Sequence, residues 1–363
     1  MPEAPADLNR TPIEVASVKP GISRWLVAAI ALAALVVVGV VLWLKRPAQL
    51  VGVTRVSPVT SYPGDEREPS LSPDGHQVAF SWDGGDGHGH IYIKLLGESN
   101  SMRLTSAQAD DAFPIWSPDG KYIAFMRRRT QAEGDIMLIP SISGPERSLH
   151  PINIGFAVKG AGRLMSWTSD GKWLCFTSRE FADSHHRLFL LSTGSGATRP
   201  LLTTAGTNDG DDDAAPAFSP NGRWLVFARF YGGPWSSKLW FQRITDDLHT
   251  EGEPVAVSDT IANATAPIWL PDSNRVLFLD SYGHRVVQAE IGHPARLVYA
   301  TEATLEGLTF SASEQTLVAS SHTDDTDLWV QPLKGLNPAE AATRFAPSTA
   351  EEESPRFSPD GGV

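Results

Sequence analysis

From about residue 51 onward the chain alternates short apolar runs with polar stretches rich in Gly, Pro, Asp and Ser, and the same order of both keeps returning. The apolar runs at 78–80, 123–125, 174–176, 225–227, 277–278 and 318–319 each close seven residues after a fixed anchor position. The anchors are Pro73, Pro118, Ser169, Pro220, Pro271, Ala312 and Pro359, spaced 45, 51, 51, 51, 41 and 47 residues apart. Two residues before them stand Leu71, Trp116, Trp167, Phe218, Trp269, Phe310 and Phe357, all large and apolar. Consecutive apolar residues, in place of strict alternation, predict strands buried on both faces.

Each unit continues with a third apolar strand, at 91–93, 136–139, 188–191, 239–241, 286–287 and 328–330. A more polar fourth follows at 102–105, 147–149, 254–257, 296–299 and 343–345. Directly after the anchors come Asp74-Gly75, Asp119-Gly120, Asp170-Gly171, Asn221-Gly222 and Asp360-Gly361, with Asp272-Ser273 and Ser313-Glu314 in the other two repeats. Pro presets φ, Asp or Asn bonds its own backbone and Gly tolerates positive φ, so each motif predicts a hairpin turn. Four short strands per unit at periods of 40 to 50 residues predict an all-β propeller. The expected ring has six complete blades, an incomplete seventh at Pro359, and a rim strand over 51–60 that precedes the first anchor.

The N-terminus follows a different pattern. After a tail over 1–24, residues 25–44 carry no charged or strongly polar side chain, and Trp25 and Trp43 stand near the ends of the run. A helix of that length rises about 30 Å, enough to cross a bilayer. Lys45 and Arg46 stop the run and open a linker over 45–50, so a transmembrane α-helix is expected rather than a cleaved signal peptide. Charge does not orient it, since Arg10, Lys19 and Arg24 on one side face Lys45, Arg46 and Arg55 on the other. Beyond residue 46 there are 25 Lys+Arg against 39 Asp+Glu, a net of −14, which disfavours nucleic acid or an anionic membrane surface as a partner of the propeller.

Stretches such as 114–125, Pro-Ile-Trp-Ser-Pro-Asp-Gly-Lys-Tyr-Ile-Ala-Phe, and 216–227, Pro-Ala-Phe-Ser-Pro-Asn-Gly-Arg-Trp-Leu-Val-Phe, resemble the TolB-type, WD-like propeller repeat over 51–363. The order of tail, span and propeller is similar to the C-terminal halves of bacterial membrane-anchored regulators, in which a winged-helix or serine/threonine kinase domain precedes the span. That resemblance implies a single-pass protein of the inner membrane. Its propeller would lie on the periplasmic side and act as a sensor or docking module for a protein or peptide partner. Only 24 residues precede the span, so neither DNA binding nor kinase activity carries over. An output domain is expected on another polypeptide or upstream. The last motif is followed by only Gly362 and Val363, so a fragment, or a ring open at one blade, is expected.

Catalysis finds no support in the residues. Dipeptidyl-peptidase and oligopeptidase relatives place a similar propeller before a hydrolase domain, whose nucleophile elbow reads Gly-x-Ser-x-Gly. The nearest string here, Gly194-Ser195-Gly196, falls between third and fourth strands. Residues 208–213, Asn-Asp-Gly-Asp-Asp-Asp, have alternating carboxylates but no closing Glu, and read as a solvated acidic loop. His88, His90, His185 and His186 read as surface loop residues. Trp82 and Trp235 follow second strands and are expected to pack their loops rather than to bind a ligand, while Cys175 reads as a core filler. No catalytic residue, cofactor or metal is expected.

Overall fold

The computed structural model describes residues 56–322, except 86, 155–161, 180–184, 203–210, 233–235, 258–262 and 314, together with the backbone of Leu328–Val330 and Thr343–Phe345. The expected membrane segment 25–44 and the seventh motif at Pro359 lie outside these residues. Among the described residues no helix is long and apolar enough to cross a membrane.

The strands form successive antiparallel sheets. The first blade is β1 (Glu66–Leu71), β2 (Gln77–Trp82), β3 (His90–Leu95) and β4 (Ser101–Arg103). The second is β5 (Asp111–Trp116), β6 (Tyr122–Arg128), β7 (Glu133–Pro140) and β8 (Arg147–Asn153). The third is β9 (Met165–Trp167), β10 (Trp173–Ser178), β11 (Arg187–Ser192) and β12 (Thr198–Pro200). The fourth is β13 (Asp211–Phe218), β14 (Trp224–Tyr231), β15 (Ser237–Ile244) and β16 (Thr250–Ala256). The fifth is β17 (Thr265–Trp269), β18 (Arg275–Asp280), β19 (Arg285–Glu290) and β20 (His293–Ala300).

The sixth unit departs from the expectation. It consists of two separate two-stranded sheets, β21 (Thr304–Ser311) with β22 (Thr316–His322), and β23 (Leu328–Val330) with β24 (Thr343–Phe345). The described residues therefore hold five complete blades, not six. Of the expected rim strand over 51–60, residues 51–55 lie outside the described residues, and 56–60 form no strand. Nor is the ring open between the sixth unit and the first, because β21 packs directly on β1.

A local motif fixes the inner hairpin in each of the first four blades. In the first blade the Ser72 hydroxyl donates to Asp74 Oδ1 (2.5 Å) and accepts from the Gln77 amide (3.0 Å), while Asp74 Oδ1 accepts from the His76 amide (3.0 Å). Ser117 with Asp119, Thr168 with Asp170 and Ser219 with Asn221 repeat the arrangement. These bonds satisfy the turn amides that the ladder leaves over. At the centre of the blades Phe125, Phe176, Phe227 and Phe278 are fully buried, each worth about 1.5–3 kcal/mol of apolar transfer.

Neighbouring inner strands are joined by two alternating devices. Where the residue three before the anchor bears a hydroxyl, it accepts an amide of the next unit. Trp116 N donates to Ser70 Oγ (3.2 Å), Phe218 N to Ser166 Oγ (3.0 Å) and Leu71 N to Thr309 Oγ1 (3.0 Å). At two of the three junctions where that residue is apolar, the next unit supplies a Trp, and after Ile268 it supplies Phe310 instead. The indole of Trp167 donates to the Ile115 carbonyl (3.4 Å), and that of Trp269 to the Ala217 carbonyl (2.8 Å). The bond from Leu71 to Thr309 is the closure between the sixth unit and the first, and it follows the same rule as the first and third junctions inside the chain.

Candidate functional site at the ring axis

Every inner strand except β9 carries a register shift, between Arg67 and Ser70, Ala112 and Ile115, Ala214 and Ala217, Thr265 and Ile268, and Glu306 and Leu308. Five residues before the anchor, inside each bulge, the backbone turns left-handed, at Glu68 (φ 58), Phe113 (φ 56), Ala215 (φ 52), Ala266 (φ 49) and Gly307 (φ 65). Four of these precede a proline: Pro69, Pro114, Pro216 and Pro267. Proline has no amide to leave unpaired in the interrupted ladder, and it disfavours a right-handed residue before it. A bulge re-aims the side chains it carries.

Glu68 and Phe113 meet across the first junction, where the Phe113 amide donates to Glu68 Oε2 (2.5 Å). The Arg128 guanidinium lies 6.0 Å from the centre of the Phe113 ring, within cation–π range. Glu68 is half-buried. Burial pushes its carboxyl up to about 7 against the opposing pull of the Phe113 amide, Arg128 and Arg67, and Glu306 pushes it further up.

The third blade behaves differently because its inner strand begins only at Met165. Just before it, Gly162 takes φ 81 and lies so close to the fifth blade that an added Cβ would sit 2.5 Å from the Ala266 Cβ. Arg163 then reaches the sixth unit, donating from Nη2 to the Leu308 carbonyl (3.1 Å). In a circuit of six inner strands the third and sixth are opposite, so this side chain crosses the axis. Among the described residues no carboxylate forms an ion pair with Arg163, and burial pushes its guanidinium down to about 10. The axial space thus holds a cation with a carbonyl partner and a carboxyl poised to titrate near neutrality. Such a pair suits recognition of a charged group more than bond chemistry, since neither is placed as a nucleophile beside a base.

The residues weighed from sequence lie elsewhere. Asp211, Asp212 and Asp213 are not a solvated loop; they open β13 as part of the ladder, with Asp211 and Asp213 buried. Asp213 forms two hydrogen bonds with Arg229 (2.7 and 3.1 Å), and Asp212 Oδ1 accepts from the His186 amide (2.6 Å) and lies 2.9 Å from His186 Nδ1. His90 and His186 are likewise not surface residues but fully buried, His90 opening β3 and His186 immediately preceding β11. His88 and His185 are exposed, 3.2 Å from Asp110 and 3.7 Å from Asp212. Among the described residues no group of three His, Cys, Asp or Glu could hold a metal ion.

Trp82 closes β2 and stacks on Tyr62 (4.8 Å), with its indole donating to the Pro63 carbonyl; Trp235 lies outside the described residues. Cys175 is buried, and Gly194-Ser195-Gly196 forms the turn between β11 and β12. Glu68, Phe113 and Arg163 were not singled out by the sequence pattern. For Glu68 and Phe113 the usable signal was the proline four residues before the anchor, which marks the bulge behind it.

The family described as the TolB beta propeller domain matches residues 48–233. No curated protein matches the chain in sequence. Among solved structures, a TolB-type protein of Agrobacterium tumefaciens is similar at 18% identity and a TM-score of 0.55, over 72% of this chain and 91% of its own. TolB of Acinetobacter baumannii is similar at 20% identity and a TM-score of 0.52, over 65% of this chain and 53% of its own. A prolyl endopeptidase is similar at 15% identity and a TM-score of 0.50, over 78% of this chain and 42% of its own. At these identities the likeness concerns the fold alone.

Proposed function

This chain belongs to the TolB β-propeller family, and on that premise we propose that its propeller is a non-catalytic interaction module that receives a charged segment of a partner protein at the ring axis. The observation that carries this reading is Arg163, a half-buried guanidinium held across the axis by one carbonyl. A partner carboxylate there would gain a charge-assisted bond in a site shielded from water. The reading extends to a single-pass sensor or docking part of a signalling or transcription-regulatory system, with residues 25–44 in the inner membrane and the propeller on the periplasmic side.

A photo-crosslinking residue at Phe113, beside the axis, is expected to capture a discrete partner in cells, while one at Ile142, exposed on the turn after β7, captures none. Capture at Ile142 alone would sink the axial reading. Topology is tested separately: a reporter active only in the periplasm, fused after Val363, is expected to be active. Activity of a cytoplasm-only reporter instead would reverse the orientation.

A second reading, the propeller part of a dipeptidyl-peptidase- or oligopeptidase-like hydrolase, draws support from the fold likeness to a prolyl endopeptidase. A reading frame continuing beyond Val363 into a Gly-x-Ser-x-Gly domain would favour it over the first.

A further inference from the structure

Away from the axis, the inner hairpin turns of the second and third blades lie side by side, and a Cβ on Gly171 of one would stand 3.7 Å from Pro118 of the other. Beside them opens a cavity of about 370 Å³, lined by residues of these two blades. Small-ligand sites run from about 300 to 1,000 Å³, so it has room for one ring-sized molecule.

The next junction, between the third and fourth blades, explains why this one is open. Arg147 on β8 and Arg199 on β12 hold the same place in their blades, paired with Leu138 and Leu190. Arg199 Nη2 donates to the carbonyls of Asp247 (2.9 Å) and Leu248 (3.0 Å), its guanidinium lies 5.8 Å from the centre of the Trp173 ring, and Leu248 packs on the apolar cluster of that junction. Arg147, by contrast, is exposed, and among the described residues it donates only to the Thr193 carbonyl (2.9 Å). Tyr122 stands four residues after its anchor, as Trp173 does, yet it is 41% exposed. The turn that Arg147 reaches carries Gly194 and no leucine, and a Cβ there would meet nothing within 4 Å.

The lining combines donors and acceptors beside the Tyr122 ring. A guanidinium has five donors, so Arg147 keeps most of them available after its bond to Thr193. Asp119 and Asp170 spend Oδ1 on their own turns and turn Oδ2 toward the exposed Lys121 (3.4 Å) and Lys172 (3.9 Å). An anion would meet two carboxylates here, and a cation would meet Arg147 and both lysines. A neutral ring bearing hydroxyls meets neither objection, because each hydroxyl both donates and accepts. The C–H face of such a ring suits the negative face of an aromatic side chain. The turns hold their shape through their own hydrogen bonds, so little order remains to be imposed on binding.

We propose that this cavity is a carbohydrate subsite, separate from the axis, for one pyranose ring lying on Tyr122, with Arg147 donating to its oxygens and Asp119 and Asp170 accepting from its hydroxyls. Two sources present that ring, a free monosaccharide and the terminal unit of a glycan.

The test is saturation-transfer NMR with calorimetric titration on the full chain in a sugar-free detergent. The probes are the methyl glycosides of glucose, galactose, mannose and N-acetylglucosamine, with cellobiose and diacetylchitobiose as chain ends. At least one glycoside is expected to bind with a Kd of about 1 mM or below. Gly194→Leu, which fills the cavity, should weaken it at least about tenfold, and Tyr122→Ala about tenfold, the scale of an aromatic contact. Tyr122→Phe should retain binding, and so should Met102→Ala, at the place on the first blade that Arg147 holds on the second. Urea midpoints establish that each variant is folded. Tighter binding of a disaccharide than of its methyl glycoside would assign the site to glycan ends, and the reverse to free monosaccharides. Absence of binding across the panel, or full affinity in Gly194→Leu with the fold intact, overturns the proposal. So does displacement of the sugar by equimolar acetate or arginine amide, which would mark an ion site with no use for the ring.

Discussion

Arg229 is a buried guanidinium and Arg163 a half-buried one, and the protein treats them in opposite ways. Arg229 faces Asp213 across the β13–β14 ladder in a two-bonded pair with both side chains buried. Burial pulls its pKa down, and the bonded carboxylate more than reverses the pull, leaving it above its ordinary value. The second blade repeats the device with Arg127 and Asp111, joined by bonds of 2.8 and 2.9 Å. Arg163 has a carbonyl in place of a carboxylate and ends below its ordinary value. A charge neutralised by its own ladder partner belongs to the architecture. A charge held between blades without one is stabilised further by whatever anion arrives.

The sharpest way to break the contrast is to put Arg229 in the position of Arg163. Asp213→Ala leaves a buried guanidinium unpaired and should cost about 3–5 kcal/mol in urea unfolding. The double variant Asp213→Leu/Arg229→Met is expected to regain most of it. Failure to recover would mean that the pair also sets the path of the strands.

The second test titrates the axis. Glu68 has a folded value of about 7 against an ordinary 4.5, so between those limits the folded protein keeps a proton that the unfolded chain has released. Its contribution is therefore greatest at low pH and is lost as pH rises from about 4.5 to 7, by about 2–3 kcal/mol. Glu68→Gln should remove that slope from the pH dependence of the urea midpoint. An unchanged slope would assign it to other groups.

Gly162→Ala sharpens the comparison by moving Arg163 without altering its charge. The new Cβ meets Ala266 and the backbone stays at positive φ, for an expected cost of about 2 kcal/mol. Gly292→Ala, with φ 78 and open space around it, should show only the backbone part, about 1 kcal/mol. Equal losses would mean that the approach to Ala266 is slack. The smallest effect is expected for Arg163→Met, a change in stability within about 1 kcal/mol because no buried carboxylate is orphaned. A loss as large as that of Asp213→Ala would make Arg163 a structural residue and remove the distinction.

Most of the blade anatomy was legible because it is local. The Ser/Thr–Pro–Asp–Gly turn completes its own hydrogen bonds within six residues, as from Ser72 to Gln77, and the second and third strands announce themselves as buried apolar runs. Strand β12 escaped notice because Thr-Arg-Pro has no apolar signature; it is a strand only by pairing with Phe189 to Leu191. Counting complete blades failed for a related reason, since apolar runs show that strands exist but not which of them share a ladder. The acidic run at 211–213 looked solvated because its partners are remote, Arg229 lying 16 residues from Asp213 and His186 lying 26 from Asp212. Arg163 had no sequence signature at all: its meaning depends on a carbonyl 145 residues away.

The bond from the Leu71 amide to the Thr309 hydroxyl spans 238 positions and bears on how the ring is built in time. Bringing such distant points together in an unstructured chain costs about 5 kcal/mol of entropy, whereas each hairpin closes over a few residues. The blades are therefore expected to form one after another, with the circle sealed last. A contact made after the folding barrier is felt mainly in the rate of escape from the native state. Thr309→Val should accordingly leave refolding almost unchanged and hasten unfolding, making this one hydroxyl the latch on the lifetime of the assembled ring.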